Sequence, residues 1–202
     1  RSTRMGRPKA SLDRDGVSFL EHVVTVASAA VAPGPVVVAA APGQALPALP
    51  EDVEVVHDAA AKRGPLEGMR VGLEALTGRV DAALVLATDL PLLRPELGPA
   101  LAGLLGVGFE AVVPLAHGHR HPLAALYRVS VLETVERVLA SGPGKPGLLL
   151  AQCSVRFVDA RELLADPALA AADPALDSLV NVNTPEELER ARARWRAADK
   201  RT

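Results

Sequence analysis

The sequence predicts an α/β fold in which helices cover both faces of a mostly parallel sheet. Short runs rich in Val, Ala and Leu alternate with longer segments of helical period, which is the pattern of such a fold. Residues 82–87 are apolar throughout, as expected of a strand that is buried on both faces. Aromatic residues make up only 2% of the chain, so aliphatic side chains must fill the core.

Capping residues and periodicity define the elements of the first half. Ser18 and Glu21 form a Ser-x-x-Glu capping box, which predicts the start of a helix. The GPLEGMRVGLEAL segment repeats apolar residues at helical spacing and predicts another. The predicted elements of this half are helices over residues 18–30 and 64–76 and strands over residues 36–40, 53–58 and 82–87.

The second half is less regular. A capping box of Ser130 and Glu133 predicts one helix start, and Thr184 with Glu187 predicts another, with Pro185 at the first helical position. Two segments predict loops by composition: GPGKPG at residues 142–147, and an Ala- and Pro-rich, mobile surface loop at residues 166–176. The remaining predicted elements are a helix over residues 95–105, strands over residues 111–114, 123–127 and 155–158, and a last strand in the LVNVN run.

Composition limits the classes of function. A chain of 202 residues without internal repeats predicts a single domain over residues 1–202. The formal net charge of -2 gives no basic excess, so we expect neither a nucleic acid nor a membrane as partner. Cys153 is the only cysteine, which excludes an internal disulfide, and we expect a cytoplasmic protein because no leader or transmembrane run is visible.

The opening segment, RSTRMGRPK, is a basic, glycine-bearing loop that ends at Lys9. Backbone N–H groups and a lysine suit a nucleoside triphosphate, whereas the alternative is a solvated basic terminus. A phosphate loop normally follows an apolar strand, and none precedes Arg1. We therefore expect that the natural protein carries further residues upstream, with the first strand and the start of the loop.

Two aspartates, Asp58 and Asp89, follow predicted strands. Ligands bind at the carboxyl ends of strands in open α/β sheets, so both side chains are candidates for one crevice. Mg²⁺ prefers hard oxygen ligands and is commonly held by one or two carboxylates with substrate phosphates, a role that suits Asp89. The alternative for each residue is a turn or a helix cap.

Three further segments carry polar or glycine patterns. The RGPLEGM turn allows backbone N–H groups to approach a base or sugar, although a plain loop-to-helix junction explains it too. Asn181 and Asn183 alternate along the last predicted strand and so share a face, from which they reach a ligand or cap the next helix. His117, His119 and His121 alternate in a polar loop, which favours solvent-facing side chains over a metal site.

These motifs resemble those of the molybdenum cofactor guanylyltransferases, which join GMP to molybdopterin. The matching pieces are RSTRMGRPK, Asp58 with GPLEGM, TDLPLL around Asp89, RHPLAALYR and LVNVNTPEEL, in the family's order along nearly the whole chain. RMGRPK and TDLPLL are shared with nucleotidyltransferases generally. GPLEGM, HPLAALYR and NVNTPEEL together point more narrowly to this branch.

The resemblance implies a Rossmann-like nucleotidyltransferase fold, with GTP and molybdopterin as substrates and Mg²⁺ as cofactor. Lys9 and Asp89 would be catalytic, Asp89 would bind the metal, and Asn181 and Asn183 would lie near the pterin. Cofactor-biosynthesis or molybdoenzyme-maturation proteins would be partners. The nucleotide-binding residues implied by the resemblance are Arg1, Ser2, Arg4, Met5, Gly6, Lys9, Asp58, Gly64, Pro65, Leu66, Gly68 and Asp89.

Two departures from the family pattern bear on the nucleotide site. The family's apolar strand and Leu-x-Gly-Gly segment are not in this sequence, and Ala39, Ala40 and Ala41 stand where some members have an asparagine that touches the nucleotide. Three rival functions therefore stay open: a cytidylyltransferase, a nucleotidyltransferase for another phosphorylated small molecule, and a non-catalytic nucleotide-binding protein.

Overall fold

A computed structural model describes residues 13–14, 17–58, 64–182, 184, 186–187, 189–191 and 193. The first elements form a short antiparallel ladder of β1 (Asp13–Arg14) and β2 (Val17–Ser18), followed by helix α1 (Phe19–Val31). Strands β3 (Val36–Ala40) and β4 (Val53–His57) then pair in parallel.

Helix α2 (Pro65–Leu76) leads from this pair to the larger sheet. That sheet has the strand order β5–β8–β6–β9, and the short β7 pairs with the end of β6. Its strands are β5 (Ala82–Leu86), β6 (Ala111–Ala116), β7 (His119–Arg120), β8 (Ala124–Arg128) and β9 (Val155–Asp159). Because β8 is antiparallel to both β5 and β6, while β9 is parallel to β6, three strands run one way. The sheet is mixed rather than purely parallel.

Helices cover both faces of the sheet, as predicted. The other helices are α3 (Leu97–Leu104), α4 (Leu132–Ser141), α5 (Pro146–Leu150), α6 (Ala160–Leu163) and α7 (Pro167–Ala172). Neighbouring strand residues belong to different core clusters: Val112 and Leu126 pack with α1, α3 and α7, whereas Val113 and Tyr127 pack with α2, α4 and α5. This alternation explains why the strands are apolar at successive positions.

Two of the three predicted capping boxes are confirmed. Ser18 and Glu21 exchange the expected hydrogen bonds at the start of α1, and Thr184 and Glu187 do the same, while Pro185 lies outside the described residues. The box at Ser130 is wrong, because a 3₁₀ turn over Val129–Val131 precedes α4 and no side chain caps that helix. The Val129 N–H donates to the Asp81 carbonyl (3.0 Å), and packing of buried valines overrides the local signal.

Both predicted loops were wrong in part, and the reason is the same. Pro146 begins α5 inside the predicted loop, and Pro167 begins α7, where Asp166 caps the helix by accepting from the Leu169 N–H at 2.9 Å. Proline is favoured at the first position of a helix, so these prolines mark starts rather than turns. The side chain of Leu169 is fully buried, which ties the segment to the core.

The last predicted strand is absent from the described part of the chain. A 3₁₀ turn covers Asp177–Leu179, and residues 180–182 are not in a sheet. No helix in the described residues is long and apolar enough to cross a membrane.

Candidate functional site

Asp89 lies in the turn that follows β5, and a distant segment of chain contacts it directly. The Asn181 side chain donates from Nδ2 to Asp89 Oδ1 (3.1 Å), and the Val182 N–H donates to the Asp89 carbonyl at 2.9 Å. Two residues that the sequence assigned to different substrates therefore lie side by side. Asn183 lies outside the described residues.

The geometry around Asp89 depends on the burial of its neighbour Val182. This side chain is fully buried with Phe19, Leu92 and Ala191, whereas Asn181 is exposed. Because the Val182 side chain is held in the core, the neighbouring Asn181 is held in a position from which its side chain contacts Asp89. The Asp89 carboxylate and the Asn181 amide together present hard oxygen atoms.

The candidate site has two parts: the surroundings of Asp89 and those of Asp58, which directly follows β4. Its N–H donates to the Ala40 carbonyl (2.9 Å), so the chain leaves the strand in a fixed direction. Its Oδ1 atom is buried and has no hydrogen-bond partner within the described part of the chain. Burial raises the pKa of Asp58, and the Glu67 carboxylate raises it further, whereas Arg70 and His57 act in the opposite direction.

Gly68 lies where α2 passes β3 and Asp58. A Cβ atom on Gly68 would lie 3.5 Å from the Ala39 Cβ and 3.7 Å from Asp58 Oδ1. These are ordinary van der Waals distances, so a methyl group would fit there and would fill the space beside the carboxylate. Gly68, predicted to bind nucleotide, thus lies at the junction of α2, β3 and Asp58.

The start of α2 is equally constrained. Gly64 has φ +85°, and a Cβ there would lie 2.8 Å from the Gly144 carbonyl oxygen. Pro65 occupies the first turn and is exposed. The Leu66 side chain is fully buried in the core, so any nucleotide contact of Leu66 is left to its backbone. Backbone groups at a helix N-terminus favour anions, which is the basis of the role predicted for this turn.

Sequence reasoning missed the ion-pair network of α2. The Glu67 side chain is 1% exposed, and its Oε1 accepts from Arg70 Nη2 at 3.0 Å and from Arg70 Nε at 3.2 Å. Arg70 also donates to Glu74 at 2.9 Å. The spacing Glu67, Arg70, Glu74 was the available signal, since residues three and four apart are neighbours on a helix.

The three histidines of the β6–β7 turn do not form a metal site. His121 is buried with its Nε2 3.0 Å from the Ala116 carbonyl, and burial lowers its pKa. His117 Nε2 is 3.1 Å from the Leu176 carbonyl, and His119 is exposed. The described residues hold no cluster of His, Cys, Asp and Glu suited to a metal. The expectation of solvent-facing rings is wrong for His121, because the turn folds back over the end of β6.

Part of the predicted nucleotide site lies outside the described residues: Arg1, Ser2, Arg4, Met5, Gly6 and Lys9. The alanines that replace the family's asparagine are described. Ala39 is exposed, Ala40 is buried, and the Ala41 N–H donates to Gln44 Oε1 at 3.1 Å. Gln44 therefore supplies a polar side chain near this strand end, which the sequence did not indicate.

Carboxylates that follow the ends of strands are typical of α/β domains that bind ligands at those ends. The family model described as MobA-like NTP transferase domain matches residues 1–157. The chain belongs to this family of nucleotidyltransferases.

Curated relatives agree along nearly the full chain. A protein of Mycobacterium avium named "Probable molybdenum cofactor guanylyltransferase" is 35% identical over 199 residues, which cover 97% of this chain and 92% of the relative. A protein of the same name from Mycobacterium bovis is 38% identical over 169 residues, covering 80% and 82% of the two chains. The resemblance inferred from the motifs is confirmed.

Solved structures confirm the fold. The molybdopterin-guanine dinucleotide biosynthesis protein A of Archaeoglobus fulgidus matches with a TM-score of 0.73 and 22% identity, over 97% of this chain and 94% of its own. A 4-diphosphocytidyl-2C-methyl-D-erythritol synthase matches with a TM-score of 0.66 and 16% identity, over 92% and 93%. The expected Rossmann-like nucleotidyltransferase fold is therefore present.

Proposed function

We propose that this protein transfers GMP from GTP to molybdopterin and releases pyrophosphate. The observation that carries the proposal is the contact between Asp89 and Asn181, which joins the predicted phosphate side of the site to its predicted pterin side. The names and the coverage of the mycobacterial relatives support the choice of substrates. In the reaction, a phosphate oxygen of molybdopterin attacks the α-phosphorus of GTP, and the bond to pyrophosphate breaks.

The residues around Asp58 position the nucleotide, and those around Asp89 position the acceptor. Asp58, with its buried and unpaired Oδ1, accepts hydrogen bonds from the nucleoside, and Gly68 leaves room for it. The N-terminus of α2 favours the negative phosphates, and Asn181 orients the acceptor beside Asp89. Holding two reactants in line supplies much of the catalysis in transfers of this kind, and no covalent enzyme intermediate is needed.

Mg²⁺ is the cofactor we propose, and the donor set fits it. Asp89 offers a half-buried carboxylate, and one or two carboxylates with substrate phosphates are the usual protein share of a Mg²⁺ site. When bound, the ion would offset the negative charge of the triphosphate. Lys9 would add a second positive charge in the N-terminal loop, together with Arg1, Ser2, Arg4, Met5 and Gly6 as phosphate-binding residues.

The proposal includes a setting and partners. We expect the protein to act in the cytoplasm, where molybdopterin would reach it from other cofactor-biosynthesis proteins and the product would pass to molybdoenzyme maturation. Asn183 would contact the pterin with Asn181.

Pyrophosphate release tests the proposed function directly. The full-length protein is incubated with Mg²⁺ and molybdopterin, with GTP in one reaction and CTP in the other. Release with GTP alone supports guanylyl transfer, and release with CTP alone assigns the cytidylyl reaction instead. Release with neither nucleotide contradicts the proposed activity. A reaction without molybdopterin is the control, because simple hydrolysis of GTP would persist there.

A further inference from the structure

The turn that carries Asp89 is held by a segment near the end of the chain. We call residues 173–182 the clasp. Besides the two bonds to Asp89, Ser178 accepts from the Arg94 N–H at 2.9 Å, and its hydroxyl lies 3.5 Å from the Leu92 carbonyl. The clasp therefore contacts the turn from Asp89 to Arg94 at both ends.

Buried polar groups give the clasp its own fixed shape. The Asp173 carboxylate accepts from the Asp177 N–H at 2.7 Å and from the Ser178 N–H at 2.8 Å. Asp173 is 5% exposed and Ser178 is fully buried. Buried groups that satisfy one another specify one conformation, since each would be costly to leave without a partner.

Leu176 shows that the clasp is held under constraint. This residue has φ 53° and ψ 37°, the left-handed conformation that a leucine rarely adopts. Its side chain is 2% exposed in the core, and its carbonyl lies 3.1 Å from His117 Nε2 in the β6–β7 turn. A rare backbone conformation persists where the surrounding contacts determine it.

Two of the side chains that build the clasp, Asp173 and Ser178, lie outside the motifs that carry the family resemblance. Asp173 and Ser178 lie beyond residues 1–157, which the family model matches, and before the NVNTPEEL motif. Neither side chain reaches the exposed edge on which Asn181 lies, so a direct contact with substrate does not explain their burial.

We propose that Ser178 and Asp173 are positioning residues for Asp89, which set the place of the catalytic turn through the clasp. The proposal rests on the role of Asp89 in the proposed function. The Asp173 carboxylate accepts a hydrogen bond from the Ser178 N–H, and the Ser178 side chain contacts the backbone of the turn at Leu92 and Arg94. Further along the same segment, Asn181 and Val182 bond to Asp89.

The test compares Ser178→Ala with Val135→Ala in the full-length protein. Val135 is fully buried against the opposite face of the sheet, so its truncation weakens the core without touching the clasp. For Ser178→Ala we expect kcat to fall about 10- to 100-fold while the KM for GTP stays within about threefold, because small misplacements of a reacting group have effects of this size. Val135→Ala, assayed well below its Tm, should keep its kcat.

A second measurement follows the clasp without relying on turnover. Amide hydrogen exchange of Val182 reports its bond to the Asp89 carbonyl. Exchange at this amide should accelerate in Ser178→Ala and in Asp173→Asn beyond any change in Val135→Ala. Unchanged kcat in Ser178→Ala overturns the proposal, and so does unchanged exchange at Val182. If the wild-type protein transfers no GMP, the proposed function fails and the exchange result alone decides whether the clasp holds the turn.

Discussion

Asp58 and Asp89 both follow a strand, yet they acquire their surroundings in different ways. Asp58 is surrounded by the adjacent strand β3 and by α2, the next helix in the chain, and its Oδ1 is buried without a partner among the described residues. Asp89 is bonded to Asn181, which is 92 positions away. The surroundings of Asp58 are built from elements that are close in the sequence, whereas those of Asp89 depend on a contact with residues 181 and 182.

The largest effect should come from Asp89→Asn. This change removes the negative charge that we propose binds Mg²⁺ and nearly preserves size, so turnover should fall by about 10²- to 10³-fold or more while the Tm changes little. Steady-state pyrophosphate release and thermal unfolding check it. Asp81→Asn, at the opposite end of β5 and exposed, is the matched control. Near-normal turnover in Asp89→Asn would contradict the proposed metal-binding role of Asp89.

Near Asp58, Arg70 of helix α2 pairs with one buried and one exposed glutamate, so the stability contributed by a buried and an exposed ion pair can be compared. Glu67→Ala removes the buried partner of Arg70 and should lower the free energy of unfolding by about 2 kcal/mol. Glu74→Ala removes the exposed partner of the same arginine, so its cost should stay below about 0.5 kcal/mol. Urea denaturation of both variants measures the difference. Equal costs would show that burial of Glu67 contributes nothing to the helix.

Gly64, just before α2, allows the costs of backbone strain and of a close contact to be separated. Gly64→Ala meets a backbone conformation that favours glycine and a carbonyl oxygen 2.8 Å from its new Cβ, so we expect a loss of about 2–3 kcal/mol in the free energy of unfolding. Gly78→Ala has a similar positive φ of +74° but nothing within 4 Å of the Cβ, which limits its cost to about 1 kcal/mol. Chemical denaturation of the pair separates conformational strain from the close contact. Identical losses would mean that Gly144 moves away freely.

Local signals in the sequence were enough for much of the fold and for both aspartates. The capping boxes at Ser18 and Thr184 act over three residues, and apolar runs marked the strands. Ser130 failed because burial of its valine neighbours decided the backbone. The loop predicted over residues 166–176 is wrong because Asp166 and Pro167 form a helix start, which the Ala- and Pro-rich composition does not reveal.

Long-range contacts account for what the sequence did not predict. Alternating asparagines in the LVNVN run indicated a strand, but the Val182 N–H bonds to the Asp89 carbonyl instead of to a sheet. Nothing in the sequence around Ser178 and Arg94 signals that these two residues meet, because their contact depends on how the whole chain packs. Periodicity and capping describe residues that are close in the sequence and carry no information about contacts between distant segments.

The smallest effect concerns Asp58 and its protonation. Its pKa in the folded protein is raised by burial and by Glu67, so the folded state holds this proton more tightly than the unfolded chain does. Stability from this group is therefore present below the ordinary Asp pKa of about 3.9 and is lost as the pH rises through the raised folded value. Asp58→Asn removes that loss, so the variant should gain stability relative to wild type at pH 7 and gain nothing at pH 3.

Urea unfolding of wild type and Asp58→Asn at the two pH values checks this sign, with Asp81→Asn as the control for removing one surface charge. The same variant should raise the KM for GTP about tenfold, because the acceptor that we propose for the nucleoside loses its charge. A gain in stability together with weaker GTP binding would mark Asp58 as a residue kept for its ligand at a cost to the fold. A variant less stable than wild type at pH 7 would show instead that the Asp58 carboxylate makes stabilising interactions within the protein. Asp58 would then no longer differ from Asp89 in lacking such a partner.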